Sequence, residues 1–363
     1  MIHLSRRQFL RLVAVSLIPA AAAACGLTTS AERPKAAVTP QPLPIPTEEA
    51  AGTATKTALP GPLAMGPTVS ITPNGAFYSI AITQRNDWLK ESTYILTVSG
   101  AVVSPLKLTL SDLKSFPAVE QMRTLECIGN PAGGELISNA IWKGARLSDV
   151  LWKAGLTSAA VEIKLAAADG YVTTIPVALA TRQDSLLVYE MNGVPLPDEH
   201  GAPLRCLFPG RYGMKQPKWI TSIEATTQPM LGHWERQGWS NDAIVQVNSQ
   251  IRTPSSGEVV AAGTYRLSGT IFADESGVAK LDVSTDSGGT WHEAQLLRGP
   301  TPLAWSEWSY DWQPSTAGDA TVIARATDND GNQQPLLTES FMSPDGNIEG
   351  VSTVHRISIT VRK

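Results

Sequence analysis

The sequence predicts an α+β protein, with a mixed α/β domain followed by an all-β sandwich of immunoglobulin type. Two observations carry this. Between Tyr94 and Trp219, short apolar strands alternate with helix signals, whereas from Ile244 onward strands follow one another at turn-length intervals with no helical period. The length, 363 residues, also exceeds what a single core ordinarily serves, so two folded domains plus tails are expected. The expected divisions are an N-terminal signal over 1–25, a tether over 26–72, a mixed α/β domain over 73–235 and the sandwich over 236–363. A net charge of -4 without a dense Lys/Arg run excludes a nucleic-acid binder.

The N-terminus reads Ser5-Arg6-Arg7-Gln8-Phe9-Leu10, then an apolar run to Ala24 and Cys25. A twin arginine, a short apolar stretch and small residues are the parts of a secretory signal, too short for a spanning helix of about 20 residues. SRRQFL resembles a twin-arginine export signal, a route that carries folded, cofactor-loaded proteins. Cys25 after Ala22-Ala23-Ala24 resembles a lipobox, with Ala22 where leucine is usual, so lipidation of Cys25 and simple cleavage nearby are both open. Residues 28–67, rich in Pro, Thr and Ala, lack apolar periodicity and read as an extended tether. The expected location is the outer face of the cytoplasmic membrane, periplasmic or extracellular, with contact to the membrane only through a lipid anchor.

In the first domain, Tyr94–Gly100 alternates apolar and polar residues as a half-buried strand does. Leu110, Leu113 and Phe116 have helical spacing and stop at Pro117. Thr124–Cys127 reads as a strand that delivers Cys127 to its end, before the turn signal Gly129-Asn130-Pro131. That cysteine is either a small core residue or a metal-binding thiolate. Trp142–Leu151 reads as a turn and then a capped helix closed by Gly155. Strands follow at 161–168, 171–176 and 186–191, with a helical turn at 178–180, and Val194-Pro195-Leu196-Pro197 is too proline-rich to continue a sheet.

Between His200 and Trp219 four cations, Arg205, Arg211, Lys215 and Lys218, mix with Gly201, Gly210 and Gly213. Such a loop suits an anionic ligand, because glycine lets the backbone approach and Arg/Lys supply charge-assisted donors; a solvated basic loop is the alternative. In the sandwich the clearest strands are 264–271, 278–284, 308–312, 320–326 and 354–361. A disulfide between Cys127 and Cys206 is conceivable in an oxidising compartment.

Several motifs together resemble the sulfite-oxidase family of molybdopterin enzymes: TLECIGN at Cys127, WKGARLSDVL at Trp142, DGYVTTIP at Asp169, LLVYEMNGVPLPDEHGAPLR at Leu186 and PGRYGMKQPKW at Pro209. DVSTDSGGTW and ARATDNDGNQQP resemble the family's dimerisation domain, an immunoglobulin-like sandwich. The resemblance implies a molybdenum-molybdopterin cofactor whose metal is bound by Cys127, which would be the catalytic and metal-ligating residue. It implies cofactor contacts at His200, Arg205, Gln216, Pro217 and Lys218, and at Phe77, Tyr78 and Ser79 over the pterin. A soft thiolate suits a metal that also carries sulfur ligands. Cys206 reads as core.

The family pattern also has departures. Pro131-Ala132-Gly133-Gly134 stands where animal sulfite oxidases have an arginine pair, Trp239 aligns with a pocket tyrosine, and Tyr310 and Ile95 fall where pocket arginines lie. A dianion needs that positive cage. The expected function is therefore two-electron oxygen-atom transfer on a small-molecule substrate other than sulfite, with reduction of a sulfoxide or similar oxide, or a non-catalytic binding module, as alternatives. Electrons would pass to a separate cytochrome or quinol-linked carrier, and the sandwich implies a possible homodimer.

Overall fold

The computed structural model describes residues 68–83, 89–337, 342–343 and 346–362. The export signal, Cys25 and the 28–67 tether lie outside them. Among the described residues no helix is long and apolar enough to cross a membrane.

Ten strands form two sheets in the first half of the chain. They are β1 (Ile95–Gly100), β2 (Leu106–Thr109), β3 (Ala118–Glu126), β4 (Ile137–Arg146), β5 (Glu162–Ala167), β6 (Val172–Pro176), β7 (Leu186–Met191), β8 (Val194–Pro195), β9 (Arg205–Leu207) and β10 (Ile220–Thr226). One sheet has the order β2-β1-β10-β5-β6, with β1 and β10 parallel. The other runs β3-β4-β7-β8, with β9 also on β7. Helix α1 (Leu110–Lys114) starts with a capping box between Thr109 and Asp112 and turns Leu110 and Leu113 inward. Helix α2 (Leu147–Ala154) ends at Gly155, which takes the left-handed conformation of a C-cap. A single turn, α3 (Val177–Ala180), follows β6. The two sheets and the helices share a core that includes Leu96, Leu151, Ile163, Leu187 and Ile223, with Cys206 fully buried among them.

Three details differ from expectation. Trp142–Arg146 continues a ten-residue strand rather than forming a turn. Gly144 is needed there because β7 approaches its backbone so closely that a Cβ would overlap Leu187, at an irregularity in the pairing beside Lys143. Val194-Pro195 does pair briefly with β7. Cys127 and Cys206 are both free thiols, so the conceivable disulfide is absent.

The second half is a sandwich. Its strands are β11 (Asn248–Thr253), β12 (Val259–Ala261), β13 (Tyr265–Phe272), β14 (Val278–Ser284), β15 (His292–Glu293), β16 (Gln295–Leu297), β17 (Ser306–Trp312), β18 (Gly318–Asp328) and β19 (His355–Arg362). One sheet is β11-β13-β17-β16 and the other β12-β19-β18-β14-β15. Alternation along the strands turns Leu267, Leu281, Val283, Val322 and Ile357 into the shared interior.

A separate apolar cluster joins the two halves: Ile128 and Ile137 flank the Cys127 loop, Tyr212 and Met214 come from the Gly-rich segment, and Phe272 and Trp305 come from the sandwich. Backbone and side chain agree with this packing. Thr124 N–H donates to Leu303 O at 2.9 Å, and Trp305 N–H donates to Thr124 Oγ1 at 2.9 Å.

Candidate active site

β3 ends at Glu126, and Cys127 follows at the point where the second sheet meets the sandwich. The turn is short and well bonded: Cys127 N–H donates to Leu136 O at 2.9 Å, and Asn130 N–H donates to Cys127 O at 2.9 Å. Burial pushes the Cys127 thiol above its ordinary value, and the Gly129 backbone N–H offsets part of that by favouring the thiolate. A half-buried thiol of this kind stays protonated until a metal displaces the proton.

Behind Cys127 runs the N-terminal segment that carries Phe77, Tyr78 and Ser79. Phe77 is packed in the core, stacked on Tyr78 at 5.6 Å and edge-on to Trp142 and His200 at 5.4 Å each. Its ring therefore braces these neighbours. Burial is the largest cause that raises the Tyr78 phenol, the Cys127 charge adds to it, and Arg205 opposes it. The Tyr78 hydroxyl thus lies within electrostatic reach of both Cys127 and Arg205. Tyr78 and Ser79 also border a cleft of about 960 Å3, whose far wall is the β13-β17-β16 face of the sandwich.

The basic segment divides its four cations. Arg205 is buried on β9; it donates to His200 O at 3.1 Å and to Gln216 O at 3.4 Å, and its guanidinium lies 5.0 Å from the Trp142 ring centre. Its Nε is buried with no partner in the protein. Burial lowers its pKa to about 10. Lys218 donates to Ser79 Oγ at 2.8 Å and Glu199 O at 3.0 Å. Burial first, then the neighbouring Arg205, drive its pKa down to about 7. Both cations would be stabilised by an anion, because each lacks enough negative charge of its own. Gly201, at positive φ, lets them converge: a Cβ there would stand 3.0 Å from the Lys218 side chain and 3.1 Å from that of Arg205. His200 donates its Nε2–H to Asn74 O at 2.8 Å, which leaves Nδ1 as the acceptor.

Arg211 and Lys215 do not join this group. Arg211 donates to Gly210 O at 3.1 Å. Lys215 is buried and ion-paired with Glu235, with further bonds to Thr174 O and Asn241 Oδ1. Nor do Gln216 and Pro217 present side chains. The Gln216 amide is committed to Phe208 N–H and Arg211 O, and Pro217 O accepts from Cys206 N–H, so their share in any ligand contact is through the backbone.

The sequence already placed Trp239 at the pocket; the structure adds the aromatic contacts around it. A Cβ on Gly129 would stand 3.9 Å from the Trp239 ring and 4.0 Å from the Cys127 Sγ. Trp239 meets Trp234 edge-on at 6.3 Å, Trp234 meets His233 at 5.0 Å, and His233 meets Tyr171 at 5.8 Å. The order His233, Trp234, Trp239 was visible in the sequence, but the ring contacts among them were not. Ile95 is 41 % exposed at the start of β1, and Tyr310 stacks on His292 in the sandwich at 5.7 Å.

The residues fit a molybdenum-pterin group. Among the described residues, no group of three or more His, Cys, Asp or Glu side chains gathers to hold a metal. A metal at Cys127 would therefore draw its other ligands from a cofactor. The partnerless Arg205 Nε, with Lys218 beside it, fits that cofactor's anionic end.

Comparison with known proteins agrees. The model of the oxidoreductase molybdopterin binding domain matches residues 82–234, and that of the Mo-co oxidoreductase dimerisation domain matches 241–362. Mitochondrial sulfite oxidase of Mus musculus is 31 % identical over 346 residues, covering 80 % of this chain and 62 % of that protein. The uncharacterized oxidoreductase YuiH of Bacillus subtilis is 38 % identical over 144 residues, covering 40 % of this chain and 71 % of YuiH. The chain thus spans under two thirds of the length of the mouse relative. The sulfane dehydrogenase SoxCD structure from Paracoccus pantotrophus shares the fold, with a TM-score of 0.67 at 22 % identity over 80 % of this chain and 81 % of that chain. The chain belongs to the sulfite-oxidase family of molybdopterin-dependent oxidoreductases.

Proposed function

We propose that this protein is an exported, membrane-tethered molybdopterin oxidoreductase that transfers an oxygen atom, with two electrons, to or from a small substrate other than sulfite. The carrying observation is a free thiol at the end of β3 together with a converged Arg205/Lys218 cradle that Gly201 admits. When bound, the cofactor supplies the redox change and the oxygen exchange. Cys127 would hold the metal. Arg205 and Lys218 would hold the anionic end of the pterin group, and His200 would offer its Nδ1 beside them. The Trp239–Trp234 edge would limit water at the face beyond Gly129.

The mouse relative is named a sulfite oxidase, yet three features favour a different substrate here. Pro131-Ala132-Gly133-Gly134 stands in place of the arginine pair, Trp239 stands in place of the pocket tyrosine, and Lys215 is neutralised by Glu235. A neutral substrate with an apolar body suits that tryptophan better than a dianion. The same residue suits the reverse reaction, reduction of a sulfoxide or similar oxide. Export is supported by the twin-arginine stretch, anchoring by the Cys25 lipobox, and a homodimer by the matched dimerisation domain. A separate electron carrier, a cytochrome or quinol-linked protein, would complete the cycle.

Metal analysis of processed protein from its own host tests the enzyme reading. Close to one molybdenum per chain is expected, and a trace or less would sink it. Steady-state assays with reduced viologen against a panel of oxides, beside an acceptor-linked sulfite assay, decide substrate and direction. Efficient sulfite turnover would refute the substrate assignment.

A further inference from the structure

The sandwich does more than pack against the first domain, because one of its strand faces holds both ends of the Cys127 loop. Asn248 and Gln250 are two apart on β11 and so point the same way. Asn248 Nδ2 donates to Glu126 Oε2 at 2.6 Å, just before Cys127. Gln250 Nε2 donates to Gly134 O at 2.6 Å, where the loop returns. The opposite oxygen of Glu126 accepts from Asn130 Nδ2 at 2.9 Å, and Asn130 Oδ1 in turn accepts from Leu136 N–H at 3.0 Å. Leu136 O accepts the Cys127 N–H. The bonds close a ring around the cysteine, and two of its anchors belong to the sandwich.

Both Glu126 oxygens are therefore committed to amide donors in a buried setting. Removing Asn248 would leave one of them unpaired and free the loop to rotate. We infer that Asn248 and Gln250 are positioning residues for the Cys127 sulfur, so that the sandwich sets the direction from which the thiolate meets the metal. This inference rests on the reading of Cys127 as the metal ligand.

The test uses the full-length, cofactor-loaded protein with Asn248→Leu and with Gln250→Met. Four quantities are compared with the unaltered protein: molybdenum per chain, melting temperature, kcat, and the molybdenum electron paramagnetic resonance signal. Expected are unchanged molybdenum content, shifted g values, and a kcat lower by roughly tenfold or more, since a misplacement near 1 Å can cost on the order of a hundredfold. An unshifted signal with kcat within about twofold of the unaltered protein, at a lower melting temperature, overturns the inference, because the contacts would then only stabilise the fold. Should Asn248→Leu not fold, Gln250→Met decides by the same two readouts. Failure of the underlying reading looks different: the unaltered protein itself would lack molybdenum, or Cys127→Ser would leave the signal unchanged, and either result removes both claims.

Discussion

Gly133 lies against the imidazole of His355, so close that a Cβ at 133 would overlap the ring. His355 is itself fixed, accepting Ile251 N–H at Nδ1 over 2.9 Å. With φ at +71°, Gly133 also occupies a conformation that other residues resist. The loop after Cys127 is therefore shaped by the sandwich and has no room for a side chain at this point.

Gly133→Ala should destabilise the protein by about 1–3 kcal/mol through overpacking and backbone strain together. Chemical denaturation measures it. His355→Ala in the same chain should recover part of the loss; additive effects of the two changes would contradict the contact.

Cys127→Ser should keep the melting temperature within a few degrees, because the residue is half-buried and the change is small. Turnover should nevertheless be lost, as a hydroxyl is a poor ligand for a metal with sulfur donors. Undiminished activity in a purified variant would refute the ligand assignment.

Arg205→Lys preserves charge but removes the planar fork and the guanidinium face on Trp142. Released pterin, oxidised and read by fluorescence, should fall by roughly tenfold or more in protein that remains folded, the loss expected for a charge-assisted bond worth about 1.5–3 kcal/mol. Full retention of pterin would place the anionic end elsewhere.

Asp274 accepts Gly210 N–H at 3.0 Å from across the interface, and burial raises its pKa from 3.8 to about 7 despite the opposing Arg123. The unfolded carboxyl ionises first, so between about pH 4 and 7 the unfolded state binds fewer protons and this group's contribution to stability falls as pH rises, by at most about 4 kcal/mol. Asp274→Asn keeps the acceptor oxygen without the charge. Its stability relative to the unaltered protein should therefore climb from pH 4 to 7 and level off above. A pH-independent difference in denaturation midpoint would show that Asp274 does not titrate in this range.

What the sequence by itself determined was what local pattern encodes. Alternation marked β1, and apolar runs bounded by turns marked β5, β6, β7 and β14, to within a residue or so at each end; Gly155 closed α2, and Cys127 stood at the end of a strand before a turn. The motif set, TLECIGN through PGRYGMKQPKW, was enough to indicate the family. Local pattern misread Gly144, because a glycine that opens a turn and one that admits a neighbouring strand look alike until that strand is in place.

Only the tertiary structure decided which of the four cations come together. Arg205 and Lys218 converge because Gly201 lacks a side chain, while Lys215 is taken by Glu235, twenty residues on. It likewise set the Phe77 ring against Trp142 and His200 and committed the Gln216 amide to Phe208 N–H and Arg211 O. The bond from Asn248 to Glu126 joins residues 122 positions apart. Periodicity tells which way a side chain points relative to its own strand, but the partner it meets depends on how two separately folded sheets dock, and that information is spread over both cores.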